Sequence, residues 1–358
     1  MSVIVFILVL FVLVLVHEWG HFIVAKKSGI RVDEFGIGFP PKAVTLFKKN
    51  GTEYSLNWLP FGGFVKIYGE NYEDVEKGTA VSSDSFVAKS RWTQAAVLFA
   101  GVFMNFVLAW FLISICFFSG VPASSKIDPT VADPKLTVVS VEKDGAAFVS
   151  GIESGDIINS ISFKGEEIVL PTPEDLQNIV RKSDGDVVGL EIQRGNEVIE
   201  KEINPIAHSG DKYPTIGISM DSIGTKKLPL FQSVYQGLVS TFAFSKSIVV
   251  GFVGIFGGGT DLSSISGPIG IASVVGEATR SGLTNLLFMM AIISLNLAVL
   301  NLIPFPALDG GRLLFVAIEG ITGKSVPKKV FNIVNTTGFF LLIGLMVLVS
   351  VRDVIHLF

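Results

Sequence analysis

The sequence predicts a polytopic α-helical membrane protein with four transmembrane helices, a re-entrant β-hairpin region and one extracytoplasmic α+β domain. Three observations predict it. Of 358 residues, 49% are hydrophobic and only 17% charged, whereas soluble domains carry about 25% charged residues. Four separate runs stay apolar over the roughly 20 residues that cross a bilayer. One stretch between the second and third runs alternates in the short steps of strands and carries a helix start of its own.

The first run, 3–24, follows no basic segment and meets no small-residue cleavage site. It continues through His17-Glu18-Trp19-Gly20-His21 to Lys26 and Lys27, so it reads as a retained span with its basic end in the cytoplasm. The other spans are 95–119, 284–304 and 333–351. Lys and Arg recur from Lys26 to Arg91, and again at Arg312, Lys324, Lys328 and Lys329. The positive-inside bias then places the N-terminus and the segment 120–230 outside, and makes the first and third spans parallel. The run 231–256 contains Lys246 and a stripe of Ser233, Gln236, Ser240 and Ser247, and reads as an amphipathic interfacial helix.

Between the first two spans, 35–69 is β-forming. Residues 43–49 and 52–58 flank Asn50-Gly51, which suits a type I′ hairpin turn, and the glycine-rich 60–68 follows. Such backbone at membrane depth must be buried in protein or line a wet cavity. The α+β domain is placed at 133–206, with strands at 136–141 and 188–193. Its helix starts at Pro173, after Thr172 as N-cap. The chain thus divides into a first membrane half (1–119), a linker and domain (120–206), the interfacial helix with a connector (207–282), and a second membrane half (283–358).

Composition also excludes. A net charge of −4 gives no basic face for nucleic acid. The single cysteine, Cys116, rules out an internal disulfide and reads as a packing residue. His208 and His356 have no companion at ligand spacing and read as surface residues.

His17 and His21 share one helical face, with Cβ atoms about 6 Å apart. Two imidazoles so placed can grip one zinc ion, with Glu18 beside it to take a proton from water. Three ionisable groups in five residues of a membrane span are costly, and such groups mark function. Catalytic zinc takes three protein ligands and keeps a fourth position open. Counted at about 1.5 Å per residue, His17 lies roughly 21 Å along the span, in its cytoplasmic third. Asp309 follows the third span into the same leaflet, within Asn301-Leu-Ile-Pro-Phe-Pro-Ala-Leu-Asp-Gly-Gly-Arg312. Taken alone, Asp309 also reads as the N-cap of a helix 310–321. Paired with the histidines, it is the expected third ligand. A full crossing by 231–256 would invert the third span and carry Asp309 to the wrong face, so that segment is expected not to span.

His17-Glu18-x-x-His21, Asn301 to Gly310 and an extracytoplasmic PDZ-like unit resemble the site-2 protease family of intramembrane zinc metalloproteases, in its bacterial RseP type. The resemblance covers nearly the whole chain. It implies one zinc ion held by His17, His21 and Asp309, with Glu18 as general base, and Asn301 handling substrate. It also implies single-span membrane substrates, such as anti-sigma factors or remnant signal peptides, in a bacterial inner membrane. Gly101-Val-Phe-Met-Asn105 is similar to a small-residue motif of the family's second span, and 43–68 to its re-entrant β element. A substrate helix must unwind to be cut, and Tyr54, Leu56 and Trp58 are the expected positions for holding it by strand addition. Where RseP-type proteins often carry two PDZ units, one is expected here, at 133–206. It would bind a substrate C-terminus or exclude bulky ectodomains. The rival classes are a non-catalytic scaffold acting through its PDZ unit, and a metal transporter. The first would usually have lost Glu18 or a ligand, and the second needs paired sites or repeats.

Overall fold

The computed structural model describes residues 2–70, 82–128, 130–143, 145–195, 197–207, 213–256 and 267–357. His208 and the side chain of His356 lie outside the described residues. The chain forms two compact units, one of 1–116 with 230–358 and one of Phe117–Pro229.

The first unit is helical because its apolar runs are unbroken by proline and leave no backbone group unpaired. Helix α1 spans Ser2–Lys27 and α2 spans Arg91–Ser119. After the second unit come α5 (Leu230–Phe256), α6 (Pro268–Arg280), α7 (Leu283–Leu302), α8 (Asp309–Thr322) and α9 (Lys328–Leu357). Helices α1, α2, α5, α7 and α9 are each long and apolar enough to cross a membrane.

Cross-helix contacts set their directions. His21 Nδ1 lies 2.8 Å from the Val97 carbonyl, and His17 Nδ1 lies 3.3 Å from Asn105 Nδ2. Increasing number on α1 therefore meets decreasing number on α2. Ser294 Oγ donates to the Asn105 carbonyl at 2.8 Å, and Cys116 Sγ lies 3.5 Å from the Thr284 carbonyl. Helix α7 is thus also antiparallel to α2, and parallel to α1. Leu13 and Val9 of α1, Val275 of α6 and Ile293 of α7 form one buried cluster.

The polar stripe of α5 is buried only at its start: Gln236 and Ser240 are half-buried and Ser247 is exposed. Ser233 and Thr241 are buried, and a Cβ on Gly237 would meet Ser114 Cα of α2 at 3.1 Å. Phe231, Tyr235 and Phe242 are the exposed face. Small and hydroxyl side chains let two apolar helices approach closely, and that use outweighed hydration here.

The β region is larger than a simple hairpin. Strands β1 (Val32–Lys49) and β2 (Thr52–Ile67) pair antiparallel around Asn50-Gly51, both at positive φ as the turn requires. Each strand also folds back on itself, so Phe35 pairs with Tyr54 on one side and Val65 on the other. The result is four segments in the order 63–67, 34–37, 53–56, 44–49. Their aromatic side packs on α1, with Phe22, Phe35 and Tyr54 rings 5.3 to 6.1 Å apart.

The second unit is a sheet with a short helix α3 (Ala146–Val149) and helix α4 (Pro173–Ser183) packed on its core. Its strands are β3 (Val121–Ser124), β4 (Ala132–Val141), β5 (Ile157–Phe163), β6 (Glu166–Val169), β7 (Val188–Arg194), β8 (Glu197–Ile203) and β9 (Ile218–Lys226), ordered β3-β9-β4-β5-β7-β8 with β6 on β5. Leu136, Ile158, Ile161, Leu176 and Ile192 are among its buried core. A reciprocal cap starts α4: Asp175 N donates to Thr172 Oγ1 at 3.2 Å, and Thr172 N to Asp175 Oδ2 at 2.9 Å.

The unit's limits correct the sequence reading of 133–206. Residues 121–124 are a strand and not linker, and 218–226 is a strand between β3 and β4 and not connector. Ile218-Ser-Met-Asp-Ser-Ile-Gly alternates too weakly for periodicity to mark it. Only its long-range partners define it.

Candidate metal centre

Three ligand atoms converge where α1, α2 and α8 meet. His17 Nε2 and His21 Nε2 are 3.1 Å apart. Asp309 Oδ2 lies 3.0 Å from the first and 3.4 Å from the second. Donors at about 2.0–2.1 Å from a tetrahedral zinc stand about 3.3 Å from one another, so the spacing fits that ion. The surroundings agree. Both histidine side chains are 9% exposed and that of Asp309 19%. Asp309 Oδ2 is a buried oxygen that finds no hydrogen-bond donor. A buried carboxylate oxygen left without a donor is costly, and a cation between it and the two imidazole nitrogens removes the cost. Among the described residues, these three form the one group of His, Cys, Asp or Glu able to hold a metal in this way.

Local sequence puts each ligand there. The four-residue step of a helix aligns His17 with His21. Asp309 is the first residue of α8, with Leu308 as N-cap, so its side chain is free to turn inward and does not cap. The preceding loop folds tightly over the helix start: a Cβ on Gly311 would sit 2.7 Å from the Phe305 carbonyl carbon. Ala307 N, in that loop, donates to Asn335 Oδ1 of α9 at 3.1 Å. Two ion pairs hold α8 from behind, Arg312 with Glu70, and Arg91 with Glu319 at 2.7 Å.

Gly101 makes the centre sterically feasible. A Cβ there would lie 2.6 Å from His21 Cε1 and 2.8 Å from His17 Cε1. Gly20 plays the reciprocal part, since a Cβ there would lie 2.8 Å from the Ala100 carbonyl carbon and from Met104 Cγ.

Glu18 is one residue past the first histidine, and its Oε2 accepts from Val65 N at 3.1 Å. The segment 63–67 therefore lies along the site with one backbone edge turned to it. Asn301, near the end of α7, is half-buried with no hydrogen-bond partner among the described residues. Tyr54 sits inside the sheet between Phe35 and Phe47, and Leu56 and Trp58 are exposed. The backbone of 53–56 is paired on both sides. It offers no edge for a further strand, contrary to the strand-addition site expected at Tyr54, Leu56 and Trp58; the edge beside Glu18 is 63–67.

Sequence reasoning did not single out Val65, Val97 or Arg312, and it saw in Asn105 only part of a motif. An asparagine and a glycine four apart in an apolar span were the available signal for Gly101 and Asn105.

The model of peptidase family M50 matches residues 5–345. A Clostridium perfringens protein is 40% identical over 344 residues, 96% of this chain and 95% of its own. Zinc metalloprotease RasP of Geobacillus kaustophilus is 30% identical over 99% of this chain and 97% of its own. The regulator of sigma-W protease RasP of Bacillus subtilis is 29% identical over 100% and 99%. The PDZ domain of an SdrC-like protein from Listeria innocua aligns with 24% of this chain and 92% of its own, at 25% identity and a TM-score of 0.21. Matched along almost its whole length, the chain belongs to peptidase family M50, the site-2 proteases.

Proposed function

We propose that this protease holds one catalytic zinc ion on His17, His21 and Asp309, and cuts the spanning segments of single-span membrane proteins. The observation that carries this reading is the convergence of three ligand atoms within 3.0 to 3.4 Å beside Glu18. When bound, the metal supplies a Lewis acid that polarises the scissile carbonyl and acidifies a water. Glu18 accepts the proton of the attacking water and returns it to the leaving amide nitrogen. The Val65 N–H holds the Glu18 carboxylate in place. Chelation should abolish cleavage of a single-span reporter in proteoliposomes, and added zinc should restore it. Cleavage indifferent to chelator would sink the reading, and failure to cleave any reporter would return a PDZ scaffold or a transporter to contention.

The unwound substrate is held along 63–67, with Asn301 free to bond its exposed backbone. This keeps the idea of strand addition and moves it from 52–58 to the edge beside Glu18. Proline at Val65 removes the N–H that this edge gives to the Glu18 carboxylate. A hydrogen bond to a charged group is worth about 1.5–3 kcal/mol, so Val65→Pro should slow cleavage by about tenfold to a hundredfold with zinc content unchanged. A zinc-loaded Val65→Pro protein that cleaves at the native rate would remove 63–67 from the mechanism.

The topology follows the same logic. Four helices, α1, α2, α7 and α9, span, with the N-terminus and the Phe117–Pro229 unit extracytoplasmic and the metal centre in the cytoplasmic third. Two observations support leaving α5 out. Lys246 is exposed midway along it. Gly267 N, which precedes α6, donates to Asp353 Oδ1 at 3.1 Å, near the end of α9. The opposite end of α9 meets the loop after α7 through Asn335, so Asp353 is on the side where α7 starts and α2 ends. Leu230 and Gly267 thus lie on the same side, which supports reading α5 as a helix that does not cross.

The PDZ-like unit is proposed to take a substrate C-terminus. A cavity of about 750 Å³ lies between α4 and β9, lined by Leu176, Val180, Ile216, Ile218 and Met220. Among the described residues, Ile218 to Asp221 pair only with β4, leaving an edge that an extended peptide can join. The Bacillus subtilis relative is named for regulation of sigma-W; the substrates proposed here are of the anti-sigma-factor or remnant-signal-peptide class.

A further inference from the structure

We propose that Asn105 is a positioning residue that sets the tautomer of His17 and so tunes metal affinity. The inference rests on the zinc-ligand reading above. A neutral imidazole has one N–H, and a nitrogen that ligates a metal cannot carry it. If His17 and His21 both ligate through Nε2, each must carry its proton on Nδ1 and needs an acceptor there. His21 has one, the Val97 carbonyl at 2.8 Å. Among the described residues, the hydrogen-bond partner of His17 Nδ1 is the carboxamide of Asn105, fully buried, with Nδ2 at 3.3 Å. Its Oδ1 is buried with no hydrogen-bond partner.

These facts fit a single side chain with two settings. With Nδ2 toward the ring, Asn105 donates to Nδ1, and His17 carries its proton on Nε2, where it blocks the metal position. A half-turn of the carboxamide brings Oδ1 to the same place. It then accepts Nδ1–H, and Nε2 is left as a bare ligand. Helix α2 thus meets the histidine pair with three residues at matching four-residue steps. Val97 serves His21, Gly101 leaves room for both rings, and Asn105 serves His17. The anchoring of Asn105 is independent of its side chain, because Ser294 holds its carbonyl.

The test measures zinc affinity of the full-length protein by competition with a fluorescent chelator. Asn105→Leu and Asn105→Ala lack an acceptor and should bind zinc about 10–100-fold more weakly, the usual cost of losing such a partner. Asn105→Asp keeps an acceptor in the same place and should bind at native strength or more tightly. Native-strength binding by Asn105→Ala would overturn the proposal, as would equal weakening of the alanine and aspartate forms, which would mark a packing role. His17→Ala distinguishes the other failure: if it binds zinc as the native protein does, the ligand set itself is wrong.

Discussion

Replacing Glu18 by glutamine should leave the zinc content at the native level and slow cleavage by about 10²- to 10⁴-fold, the range a positioned general base contributes. The two side chains are nearly isosteric. The carboxamide keeps an oxygen that can accept from Val65 N–H, so the edge segment 63–67 stays anchored. No proposed metal ligand is touched, because the three donor atoms of the candidate centre belong to His17, His21 and Asp309. What glutamine cannot do is accept a proton and release it within one turnover. The comparison is zinc per chain by metal analysis against single-turnover cleavage of a membrane-embedded reporter. Equal zinc with lost cleavage assigns Glu18 to the chemical step. A glutamine form that cleaves at the native rate would remove Glu18 from proton transfer. His17→Ala and Asp309→Ala should lose zinc and cleavage together, which separates holding the metal from using it.

The centre was legible in the sequence to the extent that it is written in helical periodicity. His17 and His21 are neighbours by spacing alone. Asp309 followed from span direction, and α7 is indeed parallel to α1 through its contacts with α2. The same reasoning gave the start of α4, where Thr172 and Asp175 form their cap within four residues of chain. Each of these signals is local or depends on a direction that charge reveals.

What stayed hidden depends on pairing between distant segments. The hairpin around Asn50-Gly51 was visible, but its return to 34–37 was not. That second pairing seals 53–56 inside the sheet and leaves 63–67 as the edge beside Glu18, so the backbone at Tyr54 and Leu56 offers no free edge for strand addition. Strand β9 was likewise missed because its alternation is weak and its partners lie about 80 residues upstream. The serines of α5 formed a polar stripe by sequence, but in an apolar setting small hydroxyl residues also serve close helix packing. Periodicity cannot separate the two uses; near Ser233 the neighbour Ser114 marks packing, while Ser247 further along is exposed.

Adding a single methyl group at Gly101 should cost the protein its metal. The alanine Cβ would stand 2.6 Å from His21 Cε1 and 2.8 Å from His17 Cε1, closer than unbonded carbons approach. The rings cannot retreat together, because His21 is tied to the Val97 carbonyl and both Nε2 atoms must meet Asp309 Oδ2. Retreat of helix α2 would open its close contact with Gly20 and pull the Asn105 carbonyl from Ser294 of α7. Overpacking of this kind costs about 1–3 kcal/mol, which here falls on the arrangement that binds metal. Zinc affinity should drop by about tenfold to a hundredfold, and cleavage at limiting zinc should fall with it. Gly344→Ala on α9 is the control: nothing lies within 4 Å of a Cβ there, and zinc and cleavage should be unchanged. If Gly101→Ala binds zinc as tightly as Gly344→Ala, the two histidines have more freedom than the α1–α2 crossing allows, and their convergence on Asp309 is not imposed by this glycine.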